Sequence, residues 1–159
     1  MLSVRNPNTV DLAAALPRKA VPIDMRYQWT RRFLSNPHIS PKDIMQPYAR
    51  EVLEKLSHQG KILIVMMDQS KVPSGHEALM ISVRLRDSAV PLMWRVLKTE
   101  GEIKYDVQKE HLDVIKSFVP FGAKVVLMGD RFYGTANLIS YCTQQGWDYR
   151  LRLKNNLLV

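Results

Sequence analysis

Two aspartates follow strand-like apolar stretches, a common position for metal-binding carboxylates in α/β proteins. Asp68 comes directly after the six apolar residues 62–67, and Asp130 comes after the run 124–128 and one glycine. On adjacent strands, two such carboxylates would converge on one point, as a hard cation such as Mg²⁺ requires. Two such ions about 3.5 to 4 Å apart stabilise the attacking and leaving oxygens of phosphoryl transfer. The pair therefore predicts a metal-dependent phosphoryl-transfer site.

The elements that must position this pair are predicted to be five strands and two helices. Apolar runs and period-two alternation predict strands at residues 62–67, 79–85, 90–97, 124–128 and 147–153. We expect one helix after the third strand, capped by Asp106, and another after the fourth, capped by Thr135 and closed by Gly146. This order is that of a ribonuclease H-like core. The predicted fold class is therefore α/β, a mixed five-stranded sheet with flanking helices.

The first 60 residues predict a small helical segment in front of this sheet. Met25, Trp29 and Phe33 repeat every four residues, which indicates an amphipathic helix over residues 24–34. Pro41 suits the first position of a second helix, ending near residue 60. Basic groups on both helices fit a DNA-binding appendage, and helices packed on a neighbouring domain fit equally well. The predicted domains are 1–60 and 61–159.

Charge and composition narrow the class of protein. The chain has 23 Lys and Arg against 15 Asp and Glu, a net charge of +8, which is typical of a chain that meets a polyanion. No apolar run approaches the roughly 18 residues of a membrane span. The N-terminus has neither a secretory nor a transit pattern. The single cysteine, Cys142, excludes an internal disulfide and a cysteine-based zinc site. We expect a cytoplasmic protein with no membrane partner.

Two stretches resemble the region around the second aspartate of bacterial insertion-sequence transposases, in the insertion-sequence-four-like group. The first is residues 127–135, Leu-Met-Gly-Asp-Arg-Phe-Tyr-Gly-Thr, and the second is residues 147–154, Trp-Asp-Tyr-Arg-Leu-Arg-Leu-Lys. Residues 63–70 are similar to the first-aspartate strand of that family, with a less distinctive motif. The likeness covers roughly residues 61–156. These enzymes are DNA transposases of the Asp-Asp-Glu (DDE) class.

The resemblance implies a role in DNA transposition. The partner would be double-stranded DNA, both at the transposon ends and at the target. Asp68 and Asp130 would be catalytic and would hold Mg²⁺ or Mn²⁺ during nicking of the ends and strand transfer. Arg131 would lie near a phosphate, although a salt bridge within its loop explains it equally well. Two further arginines and a lysine would track the DNA backbone, although a solvated face also accounts for any one of them: Arg150, Arg152 and Lys154. The matching location is the bacterial cytoplasm, in association with the nucleoid.

The sequence departs from this family at the third carboxylate, a glutamate on a later helix. The last glutamate of this chain is Glu110, so none follows Asp130. Asp148 is a poor substitute, because it begins the fifth strand and should lie at the opposite edge of the sheet. Residues 61–159 are therefore expected to be a C-terminally truncated catalytic domain. We expect it to bind metal weakly and not to cut DNA alone.

Two other classes of protein fit the same features. One is a noncatalytic remnant that binds DNA, or that pairs with itself or with an intact transposase. Metal-dependent cleavage of DNA separates this class from the enzyme. The other is an unrelated metal-dependent α/β hydrolase, which would turn over small phosphoesters without binding DNA.

Overall fold

The structure, a computed structural model, describes residues 8–18 and 20–153. In chain order its helices are α1 (Thr9–Ala14), α2 (Ile23–Leu34), α3 (Pro41–Ser57), α4 (Tyr105–Lys116) and α5 (Ala136–Gln145). Its strands are β1 (Leu63–Val72), β2 (His76–Leu85), β3 (Ser88–Lys98), β4 (Val125–Gly134) and β5 (Asp148–Leu153). A 3-10 turn, His58–Gly60, joins α3 to β1.

The strands form one mixed sheet in the order β3-β2-β1-β4-β5. The first three pair antiparallel, whereas β4 runs parallel to β1 and β5 runs parallel to β4. Each parallel step contains a helix, α4 before β4 and α5 before β5, because parallel neighbours need a crossover connection. The strand order and directions confirm the predicted ribonuclease H-like, α/β arrangement.

One face of the sheet carries the core, and we call it the covered face. Alternate residues of β1 are buried there, namely Leu63, Val65 and Met67. They belong to one hydrophobic cluster with side chains from three helices: Ala49 and Leu53 of α3, Leu112 and Ile115 of α4, and Leu138 and Cys142 of α5. The buried alternate residues of the strands therefore pack against the apolar sides of the helices in a single layer.

The opposite face of the sheet, which we call the open face, holds the intervening residues. Strand pairing places Asp68 opposite Met80, and Met80 opposite Trp94. Met80 is 37% exposed and Trp94 42% exposed. On the other side of β1, Met66 lies opposite Met128, and both are half-buried. Apolar side chains therefore remain accessible to solvent on the face that carries Asp68.

The chain separates into two compact units, Met1–Pro41 and Lys42–Val159. In the first unit, Arg26 Nη1 donates a hydrogen bond to the Ala14 carbonyl oxygen (3.0 Å), which ties α2 to α1. The apolar stripe predicted on α2 is largely exposed: Met25 by 60%, Trp29 by 41% and Phe33 by 42%. Helix α3 falls within the second unit, where it contributes to the core.

The predicted caps of α5 are present in the structure, whereas the predicted cap of α4 is not. Thr135 is the N-cap of α5, and its side chain accepts a hydrogen bond from Leu138 N. Gly146 closes this helix in the left-handed conformation, with φ 66°. The predicted cap Asp106 is wrong, because α4 begins at Tyr105 and Asp106 lies in its first turn. An acidic residue there is stabilised by the positive end of the helix dipole without capping the helix.

No helix in the described part of the chain is long and apolar enough to cross a membrane.

Candidate carboxylate site

Strand register brings Asp68 and Asp130 together. The parallel ladder between β1 and β4 ends at the pair Met67 and Gly129. Asp68 and Asp130 are the next residues on these two neighbouring strands, which lie about 4.8 Å apart. Both side chains are exposed. The structure therefore supports the predicted pairing of the two carboxylates at the end of the parallel ladder.

Asp68 lies within its strand, whereas the apolar run alone predicts that the strand ends there. β1 continues to Val72, because its antiparallel pairing with β2 runs on to the pair Val72 and His76. Asp68 is therefore held by β2 on one side after the ladder with β4 has ended on the other. The long hairpin fixes the backbone of Asp68 more firmly than a loop would.

Asp130 is oriented by its own backbone. Its Oδ1 atom accepts a hydrogen bond from Phe132 N at 2.9 Å, an Asx-type turn located where β4 has left its ladder with β1. The register between β4 and β5 shifts between Gly129 and Gly134. One carboxylate oxygen of Asp130 thus stabilises the turn, and the exposed carboxylate can still bind a cation through its other oxygen.

The two glycines around Asp130 are required by close packing. A Cβ atom at Gly129 would lie 2.9 Å from Tyr133 Cβ, and one at Gly134 would lie 2.3 Å from the Arg152 carbonyl oxygen. Both distances are shorter than van der Waals contact. The Gly-Asp-Arg-Phe-Tyr-Gly stretch therefore places Tyr133 against the strand beneath Asp130, and it brings β4 into close contact with β5.

Tyr133 is a residue of the hydrophobic core that packs against the strand position directly before Asp130. The side chain is 1% exposed, and its hydroxyl oxygen is buried without a hydrogen-bond partner among the described residues. Burial, followed by the negative charges of three carboxylates, raises the pKa of the phenol far above its ordinary value: Asp68, Asp130 and Glu102. Burial therefore favours the neutral phenol.

Gln69 ties the loop that contains Glu102 to the strand of Asp68. Its Nε2 atom donates to the Gly101 carbonyl oxygen (2.6 Å), and its Oε1 atom accepts from Ile103 N (2.9 Å). The same Nε2 atom also donates to Glu77 (3.2 Å). Sequence reasoning missed both Gln69 and Glu102. The only available signal was the position of Gln69 beside Asp68.

The chemistry of the two aspartates fits a magnesium ion. Mg²⁺ keeps several of its waters and is bound in proteins by one or two carboxylates, which Asp68 and Asp130 supply. Residues 8–18 and 20–153 contain no group of three or more His, Cys, Asp or Glu side chains that could hold a metal ion. The protein part of such a site would therefore consist of two carboxylates.

Basic residues lie on the same face as the pair. Arg150 of β5 pairs with Met128 of β4, and Met128 lies two residues before Asp130. Arg150 and Arg152 are both exposed. Since a strand rises about 3.3 Å per residue, Arg150 and Asp130 are separated by about 7 Å along the strand direction. Lys154, the third predicted residue of this row, lies outside the described residues.

Arg131 and Asp148 occupy different positions. The guanidinium of Arg131 lies 5.8 Å from the centroid of the Phe132 ring, a cation–π contact, and Arg131 takes part in none of the ion pairs among the described residues. Asp148 pairs with Val126, four residues before Asp130 along β4, or about 13 Å away. Asp148 is therefore too distant to be a third ligand.

Comparison with known proteins gives structural likeness alone. No protein-family model matches the sequence, and no curated protein matches it. Among solved structures, a Mos1 transposase catalytic domain with raltegravir and Mn is 11% identical, with a TM-score of 0.42 over 71% of this chain and 62% of that chain. The catalytic domain of the Mos1 mariner transposase is 6% identical, with a TM-score of 0.41 over 74% and 64%. The Mos1 strand transfer complex is 9% identical, with a TM-score of 0.38 over 89% and 56%.

The chain thus spans less than two thirds of the length of each of these Mos1 chains. Every TM-score lies below 0.5, so the fold assignment rests on the strand order and strand directions of this chain.

Proposed function

We propose that this chain is part of a DDE-class DNA transposase, related to the insertion-sequence-four-like group, that nicks transposon ends and transfers strands to target DNA. Asp68 and Asp130 are its catalytic metal ligands, and the metal is Mg²⁺ or Mn²⁺. The single observation that carries the proposal is the register of β1 and β4, which sets these two aspartates side by side where their parallel ladder ends.

In this proposal the acidic residues bind the metal and the basic residues bind the DNA. The two carboxylates would hold the cation, and a bound cation would supply Lewis-acid chemistry at a phosphate oxygen and at a water molecule. Arg150 and Arg152 share the open face with the carboxylates, so they can bind the backbone of the DNA that enters the site. Lys154 and Arg131 are proposed to extend this contact. The net charge of +8 favours the encounter with DNA.

The organisation of the chain completes the proposal. We propose residues 61–159 as the catalytic portion and the basic helices of segment 1–60 as a DNA-binding appendage, with α3 also contributing to the core of the second unit. Within that segment α2 carries Arg31 and Arg32 in its last turn. A homo-oligomer, or a complex with an intact transposase, would bring together the two ends of a transposon.

The test is Mn²⁺ binding, measured by electron paramagnetic resonance on the full chain. We expect weak binding that is lost in Asp68→Asn and in Asp130→Asn. Asp148→Asn is the matched control, because this exposed aspartate lies on the same sheet about 13 Å from the pair, and it should bind Mn²⁺ like the parent. Binding that Asp68→Asn leaves unchanged would remove the basis of the proposal.

A second function is favoured by one observation. The described part of the chain has no group of three metal-binding side chains, and a noncatalytic DNA-binding protein would retain the same basic face. Nicking of supercoiled plasmid in Mn²⁺ separates the two functions. Asp68-dependent nicking favours the enzyme, whereas DNA binding without any nicking favours the noncatalytic protein.

A further inference from the structure

Helix α2 carries its large aromatic side chains on its exposed side. Trp29 is 41% exposed and Phe33 is 42% exposed, whereas the buried residue of this helix is Thr30. The Thr30 hydroxyl donates a hydrogen bond to the Arg26 carbonyl oxygen at 2.9 Å, so its polar atom is satisfied within the helix. Adjacent apolar side chains that stay in solvent while a threonine is buried mark an interaction surface.

The exposed rings of α2 are already arranged for stacking. The Trp29 and Phe33 rings are nearly parallel, with an interplanar angle of 12° and centroids 5.6 Å apart. The Arg18 guanidinium lies 5.4 Å from the centroid of the Trp29 ring, within the range of a cation–π contact. We call Arg18, Trp29 and Phe33 the aromatic surface. Because these contacts already orient the rings, a planar ligand would bind to them at a low cost in side-chain entropy.

The charge around the aromatic surface favours a polyanion. Residues 1–41 contain six Lys and Arg against two Asp and Glu. Arg31 and Arg32 lie in the last turn of α2 beside Phe33, and together with Arg18 they form none of the ion pairs among the described residues. A second copy of this surface would place like charges against each other, which is unfavourable. Aromatic rings interleaved with basic groups are typical of surfaces that bind single-stranded nucleic acid.

We infer that the aromatic surface binds unpaired bases of single-stranded DNA, with Arg31 and Arg32 on the phosphates. Paired bases stack on one another and show only their edges in the grooves, so a duplex offers the rings of Trp29 and Phe33 no free base face. Unpaired bases have free faces, and every base can stack in this way. The inference deepens the DNA-binding role proposed for segment 1–60 and rests on it.

Fluorescence anisotropy with a labelled single-stranded oligothymidine tests the inference on the full chain. Trp29→Leu and Phe33→Leu each remove one ring and keep an apolar side chain that favours helix. We expect each to raise the oligothymidine dissociation constant by about tenfold, the effect of losing one base stack. Phe121→Leu is the matched control, because Phe121 is a fully exposed phenylalanine of the second unit and should not contribute. Circular dichroism checks that all three variants keep the helical content of the parent.

Three further probes identify what the rings contact. An abasic oligonucleotide of the same length carries phosphates without bases, and Trp29→Leu should bind it as the parent does. The same equality is expected for a duplex. Oligothymidine binding that neither α2 variant weakens would overturn the inference, and so would an equally large loss with abasic or duplex DNA. Polyglutamate binding that depends on Trp29, without such dependence for oligothymidine, would overturn it in favour of an acidic protein partner.

Failure of the inference differs from failure of the proposed function. If the parent binds duplex DNA, and Trp29→Leu and Phe33→Leu bind oligothymidine like the parent, the role of the aromatic surface is wrong and the proposed function stands. If the parent binds neither duplex DNA nor oligothymidine, both are wrong.

Discussion

Replacing Gly134 with alanine should separate β4 from β5. The new Cβ atom would lie 2.3 Å from the Arg152 carbonyl oxygen and 3.0 Å from Leu153 Cα, both of them backbone atoms. A carbon and an oxygen in contact need about 3.3 Å, so one strand must move by about 1 Å. A flexible side chain could rotate away from such a contact, but a paired strand cannot.

The cost of this movement follows from its two parts. Overpacking costs about 1–3 kcal/mol, and a strained or broken ladder hydrogen bond adds about 1 kcal/mol. Alanine recovers up to about 1 kcal/mol by restricting the unfolded chain. We therefore expect Gly134→Ala to lower the free energy of unfolding by about 2 kcal/mol. At a urea slope of about 2 kcal/mol/M, the midpoint falls by about 1 M.

The assay is urea unfolding followed by circular dichroism, with Gly146→Ala as control. Gly146 has φ 66°, and beyond its chain neighbours no atom lies within 4 Å of the position that an alanine methyl would take, so it tests backbone strain alone. That strain costs about 1 kcal/mol. A Gly134→Ala variant no less stable than Gly146→Ala would refute the steric argument, and with it the view that this motif requires glycine for close strand packing.

Three further predictions concern the α5 cap, an ion pair and the basic strand. Thr135→Ala should cost about 1 kcal/mol of unfolding free energy in urea, because the N-cap bond is lost. The pKa of Asp113 is lowered below 3.8, first by its hydrogen bond from Lys109, so its stabilising effect is present above that pH and is lost as pH falls through the folded value. Asp113→Asn should therefore lower the melting temperature at pH 6 more than at pH 2. Replacing both Arg150 and Arg152 with glutamine should reduce the salt slope of DNA binding by about 1.8.

Two of these predictions have a control variant in the same chain, and the Asp113 prediction is checked by comparing two pH values. Thr143→Ala removes a hydroxyl that only bonds back to Ile139 within α5, so it should cost less than Thr135→Ala. An Asp113→Asn effect that is equally large at both pH values would contradict the ionic explanation. Arg95 pairs with Glu110 rather than with the carboxylate site, so Arg95→Gln should leave the salt slope nearer to that of the parent.

The strands and helices of the second unit were predictable because their signals are local. The apolar runs marked β1 and β4, and alternation marked β2. Thr135 and Gly146 marked both ends of α5 correctly, since caps depend on a few neighbouring residues. Asp106 was wrongly predicted as a cap, because an acidic residue is favourable both at the N-cap and in the first helical turn.

The sequence by itself determined the order of elements, the basic charge and the placement of Asp68 and Asp130 after apolar runs. Only the tertiary structure decided that β1 continues past Asp68, because that depends on its register with β2. It also decided that Tyr133 packs against Gly129 and that the stripe of α2 stays exposed. Periodicity specifies which side of an element is apolar. What that side contacts depends on pairing between residues far apart in the chain, which no local pattern contains.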